Sequence, residues 1–226
     1  MEMKTEKTGG GSAVVLGAKT GFSRWGRAKA KLVMLMVLAL LSLMITPGVG
    51  RADTLQSALD RNAYLWAQQC REEVVNQFEL LLTSGRLTVG QLFDTFYIPI
   101  PNTNPQKYRT QYDTLSDEIL RPILDKYLAK DPHLVFCIAV DRNGYLPTHN
   151  TRFAQPLTGD AEVDSVKNRT KRIFNDRTGL AAARNQQTYL LQRYSRDTGE
   201  QMADLSIPIT ISKRHWGAIR IGYQTN

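Results

Sequence analysis

Cysteine is nearly absent from this chain of 226 residues, which contains only Cys70 and Cys137. Neither begins the Cys-x-x-Cys-His sequence that attaches a c-type haem, so the sequence excludes covalent haem of that kind. Two cysteines in an exported protein could form a disulfide. Each one, however, lies within an apolar pattern, where a free thiol behaves as a small hydrophobic group. The sequence is therefore compatible both with a disulfide between Cys70 and Cys137 and with two free thiols.

Histidine and the common catalytic motifs are also scarce. His133, His149 and His215 are never spaced as His-x-x-x-His, so the sequence contains no recognisable metal motif. A Gly-x-Ser-x-Gly elbow, a Walker loop and a dinucleotide fingerprint are likewise missing. Because an enzyme needs a nucleophile with its base, or paired carboxylates, we expect no catalytic residues, no metal and no cofactor.

Long apolar runs are missing except at Leu32–Ile45. This run follows Arg24, Arg27, Lys29 and Lys31 and precedes small residues, an order typical of a secretory signal peptide over residues 1–52. The alternative is an uncleaved anchor, because the apolar stretch nearly reaches the roughly 20 residues of a spanning helix. In both cases the basic flank predicts a domain outside the cytoplasm, either periplasmic or anchored at the inner membrane.

The net charge of +8 comes mostly from this leader. Residues 1–52 contain eight Lys or Arg against Glu2 and Glu6, which leaves 21 basic and 19 acidic residues in the remainder. A nearly neutral domain has no basic surface for a phosphate backbone, so we expect no nucleic-acid partner.

Residues 53–226 read as one domain of the α+β class with three parts. A long helix is predicted over 53–84 from the helical spacing of its apolar residues, and a loop with a second helix over 85–130. The sheet region, 131–226, contains a continuous apolar strand at 134–140, a turn at Asp141–Gly144 that we expect to close a hairpin, and alternating strands towards the C-terminus. We predict an antiparallel sheet of about five strands with a polar insertion.

The insertion contains the most polar run of the domain, residues 168–179. Its residues Arg169, Lys171 and Arg172 could bind a carboxylate or phosphate, and the adjacent Phe174 adds an apolar wall. A solvated helical face explains the same charges equally well. Taking the polar strand positions and the His149 region together, we predict a ligand site that contains His149, Asn150, Arg169, Lys171, Arg172, Phe174, Asn175, Asp176, Tyr194 and Asp204.

Five ordered segments carry a family resemblance: DRNGYLPTHN (141–150), QPLTGD (155–160), NRTKRIFNDRTGLAAARN (168–185), RDTGEQMADLSIPI (196–209) and RHWGAIRIGY (214–223). Together they resemble the extracytoplasmic Cache/PAS-like sensor domain of bacterial methyl-accepting chemotaxis receptors. The resemblance implies a PAS-like sheet and a small-molecule ligand, with an anion among the options. The alternatives are a structural or interaction module with a degenerate pocket, or a haem-binding or enzymatic periplasmic protein that uses His149 or His215.

The sequence ends shortly after Tyr223 without a second apolar segment. We therefore expect any output to pass through a separate membrane receptor or through self-association. The predicted long helix is the candidate dimer surface, because Leu55, Leu59 and Trp66 extend its apolar stripe towards its N-terminus.

The haem alternative has a spectroscopic test. Because neither cysteine begins an attachment motif and the three histidines are isolated from one another in the sequence, the purified protein should show no Soret absorbance. A stoichiometric Soret band in the visible spectrum would contradict this, and His149 and His215 would then be tested as axial ligands by substitution.

Overall fold

The computed structural model describes residues 54–195 and 200–225, and the predicted leader, residues 1–52, lies outside them. The helices are α1 (Ala58–Thr83), α2 (Val89–Leu92), α3 (Asp113–Leu128), α4 (Ala161–Lys167) and α5 (Arg177–Ala183). The strands are β1 (Ile98–Ile100), β2 (Lys107–Arg109), β3 (Leu134–Asp141), β4 (Tyr145–Leu146), β5 (Arg172–Ile173), β6 (Leu190–Ser195), β7 (Gln201–Ile211) and β8 (Arg214–Gln224).

The central element is an antiparallel sheet of four strands in the order β3-β8-β7-β6. This confirms the α+β class and the antiparallel sheet, with four strands in place of about five. Two small strand pairs, β1 with β2 and β4 with β5, lie outside it. Along the described chain, no helix has the length and apolar character that crossing a bilayer requires.

The predicted hairpin after β3 is wrong. Strand β4 pairs with β5, while the hydrogen-bonding neighbour of β3 is β8. The carboxylate of Asp141 explains the change of direction, because its Oδ1 accepts the backbone N–H groups of Asn143 and Tyr145. These bonds turn the chain out of the sheet, and the N–H of Arg142 bonds to Trp216 of β8 instead.

The two faces of the sheet have different neighbours. Side chains alternate between the faces of a strand, so Ile219, Ile221 and Tyr223 of β8 join the main core with α1 and α3. Ala218 points to the opposite face, where it packs with residues of β3, β4 and α5 in a smaller apolar cluster. The sheet is thus covered by helices on one side and by the insertion, residues 147–185, on the other.

Helix α1 begins at a capping box, in which Ser57 accepts the N–H of Asp60 and Asp60 accepts the N–H of Ser57. The fully buried Asp60 also binds Arg193 and the hydroxyl of Tyr223, which attaches the start of the helix to the sheet. Leu55, which precedes this helix, and Leu59 and Trp66 on it are partly buried against the main core. The apolar stripe therefore packs within the domain and gives no support to a dimer, which stays a prediction.

Both cysteines are free thiols in the structure. Cys70 of α1 and Cys137 of β3 are fully buried, with their Sγ atoms 3.8 Å apart. Burial, followed by the neighbouring Cys137, raises the pKa of the Cys70 thiol. The pair therefore packs as small apolar groups between α1 and the sheet.

Gly144 allows the turn after β3 to pass against the insertion. Its φ is +80°, and an added Cβ would lie 2.3 Å from the backbone oxygen of Phe174. Gly144→Ala should therefore lower the free energy of unfolding by about 2 to 4 kcal/mol in urea denaturation. Gly90→Ala is the control, because its Cβ has no neighbour closer than 3.9 Å and should stabilise α2 slightly. Equal effects of the two substitutions would contradict this packing.

Candidate functional site

A cleft of about 640 Å³ lies between the insertion and the face of the sheet opposite α1. Apolar side chains make most of its wall, and a few polar groups interrupt them. The lining residues are Val135, Phe136, Ile138, Leu146, His149, Phe153, Val166, Arg169, Phe174, Asp176, Thr178, Tyr194 and Arg220. His149, Arg169, Phe174, Asp176 and Tyr194 of the predicted site residues are among them.

Arg220 on β8 is the cation that the sheet contributes to the cleft. Its side chain is 8% exposed and binds the fully buried Asp204 of β7. The Nε atom lies 3.2 Å from Oδ2 of Asp204, and Nη2 bonds to the same oxygen. Burial alone would lower the pKa of Arg220, but the charge of Asp204 raises it above the usual value. The guanidinium is therefore held ionised in a fixed orientation.

His149 is buried in the wall of the cleft as a neutral ring. Burial, and then the charge of Arg169, lower its pKa well below the usual value, and Arg152, Arg172 and Arg121 act in the same direction. Its Nδ1 accepts the backbone N–H of Asn150 at 2.7 Å, which places the ring proton on Nε2. Among the residues that the structure describes, no acceptor binds this Nε2.

Arg169 and Phe174 form one side of the cleft together. The guanidinium carbon of Arg169 lies 5.1 Å from the centre of the Phe174 ring, within the range of a cation–π contact. The backbone of the same segment is fixed by a bond from the N–H of Arg169 to the carbonyl of Phe153. The polar run thus contributes one arginine to the cleft wall.

A buried lysine supports the segment that carries Arg169. The ammonium of Lys107 on β2 donates to the side chain of Asn168 and to the carbonyl of Thr170, both at 2.7 Å. Burial, followed by the charge of Arg172, lowers the pKa of Lys107 to about 8. This lysine attaches the β1–β2 hairpin to the segment on both sides of Arg169.

Two predicted site residues serve other contacts. Asn150 accepts the N–H of Cys137 and donates to Asp125, so its amide connects the insertion to β3 and α3. Lys171 binds Asp117 at 2.8 Å and also donates to the carbonyl of Pro147. Neither lines the cleft, because the local backbone directs both side chains towards α3.

Three further predicted residues lie beside or behind the cleft. Arg172 is stacked on Phe174 and donates to the carbonyl of Ser165, outside the lining. Asn175 is exposed at the surface. Asp204 contacts the cleft only through Arg220. The polar run therefore contributes Arg169, Phe174 and Asp176 to the lining of the cleft, whereas Lys171 and Arg172 bind other groups.

Arg220 and the apolar wall on β3 were not predicted. The signal in the sequence is an arginine between Ile219 and Ile221, within the otherwise apolar and small run from Trp216 to Tyr223. A buried charge in such a strand requires a partner, and Asp204 on the neighbouring polar face of β7 is that partner. In residues 54–195 and 200–225 no group of three potential ligands gathers around a metal position.

Comparisons with known proteins leave the family open. No protein-family model matches the sequence, and no curated protein is similar to it. Among solved structures, the chain is similar to an extracellular ligand binding receptor from Desulfohalobium retbaense, with a TM-score of 0.34 and 14% identity. The match covers 72% of this chain and 25% of the receptor, so the chain spans a quarter of that protein's length. A similarity this weak carries no argument about function.

The neutral state of His149 makes the stability of the protein dependent on pH. In the unfolded chain this histidine takes up a proton near pH 6.5, whereas the folded site resists protonation. The free energy of unfolding should then fall as the pH drops, by about 1.4 kcal/mol per unit below pH 6.5. His149→Gln should remove this part of the pH dependence in urea denaturation, and the exposed control His133→Gln should retain it. An unchanged slope in His149→Gln would show that the imidazole is not buried as a neutral group.

Proposed function

We propose that residues 53–226 form an exported, Cache/PAS-like sensor domain that binds a small molecule and performs no chemistry on it. The observation that carries the proposal is the cleft between the sheet and the insertion. Small-molecule sites are concave and mostly apolar, with a few polar groups that fix the orientation of the ligand. Seven apolar side chains and the polar groups of His149, Arg169, Tyr194 and Arg220 fit that description.

The polar groups of the cleft suit binding better than catalysis. Arg220 is held ionised by Asp204, and His149 is held neutral by burial and by the surrounding arginines. A general acid or base must exchange a proton near the working pH. Groups that are fixed in one protonation state instead offer a constant set of donors, as a receptor requires.

The ligand signal would leave the domain through another protein. In this proposal the domain lies in the periplasm, after cleavage of the leader or with the leader as an anchor at the inner membrane. A separate membrane receptor, or a second copy bound through the N-terminal helix, then reads the liganded state. The domain itself contributes recognition.

A substitution at the mouth of the cleft tests this function. Val166 on α4 is 60% exposed and lines the cleft, so Val166→Trp should obstruct entry without disturbing the core. Leu157→Trp is the matched control, because Leu157 is 46% exposed and outside the lining. A metabolite screen by thermal shift should find a ligand that stabilises the wild type and Leu157→Trp, since binding to the native state raises the melting temperature.

Val166→Trp should bind the same ligand at least about tenfold more weakly in calorimetry, a loss of about 1.4 kcal/mol. Equal binding by both variants would place the ligand elsewhere. A screen in which no small molecule stabilises the wild type would favour the structural or interaction module with a closed pocket.

A further inference from the structure

The floor and walls of the cleft differ sharply in polarity. The side chains from β3, β4 and α4 are Val135, Phe136, Ile138, Leu146 and Val166, which offer no side-chain hydrogen bond. The guanidinium of Arg220, on β8, lines the cleft beside these apolar side chains. A ligand that fills this space must therefore be mostly apolar and must present its charge at one position.

Arg220 retains donors for such a ligand. Its Nε and Nη2 atoms bind Asp204, and within the described chain no acceptor binds Nη1. The guanidinium also lies over the ring of Phe136, with 5.8 Å between the guanidinium carbon and the ring centre. A planar cation fixed on two sides is prepared to bind a carboxylate, whose two oxygens match its geometry.

The surrounding charges disfavour a cationic group. Arg169 lines the cleft, and the charges of Arg152, Arg172 and Arg121 act on His149 in its wall. Of the two carboxylates in this region, Asp204 is bound by Arg220. Asp176 lines the cleft, but it is exposed, and its Oδ1 caps α5 by accepting the N–H of Gly179. An ammonium inside the cleft would meet several arginines, while the one carboxylate of the lining, Asp176, is exposed to solvent, which screens its charge.

We propose that the cleft selects a lipophilic carboxylate without an ammonium group, and that Arg220, oriented by Asp204, binds its carboxylate. This inference rests on the proposed ligand-binding function and adds the class of ligand. Asp204 is a positioning residue, because it reaches the ligand only through Arg220. Nε2 of His149 can donate to a second, neutral acceptor on the ligand.

Three probes that share one skeleton test the inference: 3-phenylpropionate, its amide 3-phenylpropanamide, and L-phenylalanine, which adds an ammonium to the acid. Titration calorimetry on the purified wild-type protein should show binding of the acid at millimolar concentration or below. The amide and the amino acid should each bind at least about tenfold more weakly, a difference of about 1.4 kcal/mol. Equal or tighter binding of either one, or no binding of the acid, would overturn the proposal.

Two variants test whether Arg220 is responsible for the preference for the acid over the amide. Removing one member of a buried ion pair leaves the other charge unpaired, so the double variant Asp204→Leu/Arg220→Met removes both. It should bind the acid and the amide equally. Arg214→Met is the control, because it removes an exposed cation from the same strand outside the cleft and should keep the wild-type preference.

Arg220→Lys keeps the charge opposite Asp204 and provides a second test if the double variant does not fold. It should bind the acid at least about threefold more weakly, with unchanged binding of the amide, because lysine lacks the planar fork. Unchanged acid binding in Arg220→Lys and in a folded double variant would overturn the role of Arg220. The two proposals can also fail separately. If the wild type binds acid and amide equally and Val166→Trp binds neither, the cleft is still the binding site, and only the preference for a carboxylate is rejected.

Discussion

The structure depends on a sheet whose two faces are both buried and chemically unlike. On β8, Ile219, Ile221 and Tyr223 complete the main core, while Ala218, Arg220 and Gly222 alternate with them on the other face. Neither face can exchange its role with the other, because a shift of one residue would place Arg220 in the apolar core. This alternation fixes the register of the central strands, and it also places a cation at the cleft.

Buried and partly buried polar contacts hold the insertion over that second face. Lys107, Asn150 and Lys171 each bind backbone or side-chain groups of another element. A buried polar group without such a partner is costly, so these contacts specify one position for the segment. The apolar cluster beneath the insertion is small, with five buried members, so these bonds contribute a large part of the specificity. The cleft is the space that they leave open.

The sequence predicts local structure well here and pairing less well. The spacing of apolar residues predicts the long helix, and the alternation in Gln201–Ile211 predicts a half-buried strand with one polar face. This strand is β7, but its polar face is also buried, with Asp204 and Ser206 fully covered. The sequence pattern does not reveal that the side chain of Asp141 turns the chain away from β3, because this change of direction depends on hydrogen bonds that form only in the folded state.

The candidate site shows the same division. The polar run indicates the region of the cleft, but a list of charged residues cannot tell Arg169, which lines it, from Lys171, which binds Asp117. The backbone at Lys171 has a φ of +56°, and the side chains of Arg169 and Lys171 point to different neighbours. No rule based on residue spacing predicts such a φ. Arg220 was missed because its importance follows from pairing with Asp204 across two strands.

Mapping the contact surface of a bound ligand tests the central claim, that the ligand lies between the sheet and the insertion. Backbone amide shifts in two-dimensional NMR should change on titration at β3, at His149 and Arg169, and around Arg220 on β8. The solvent-facing side of α1 should show no comparable change. Shifts confined to α1, with the cleft residues unaffected, would contradict the account.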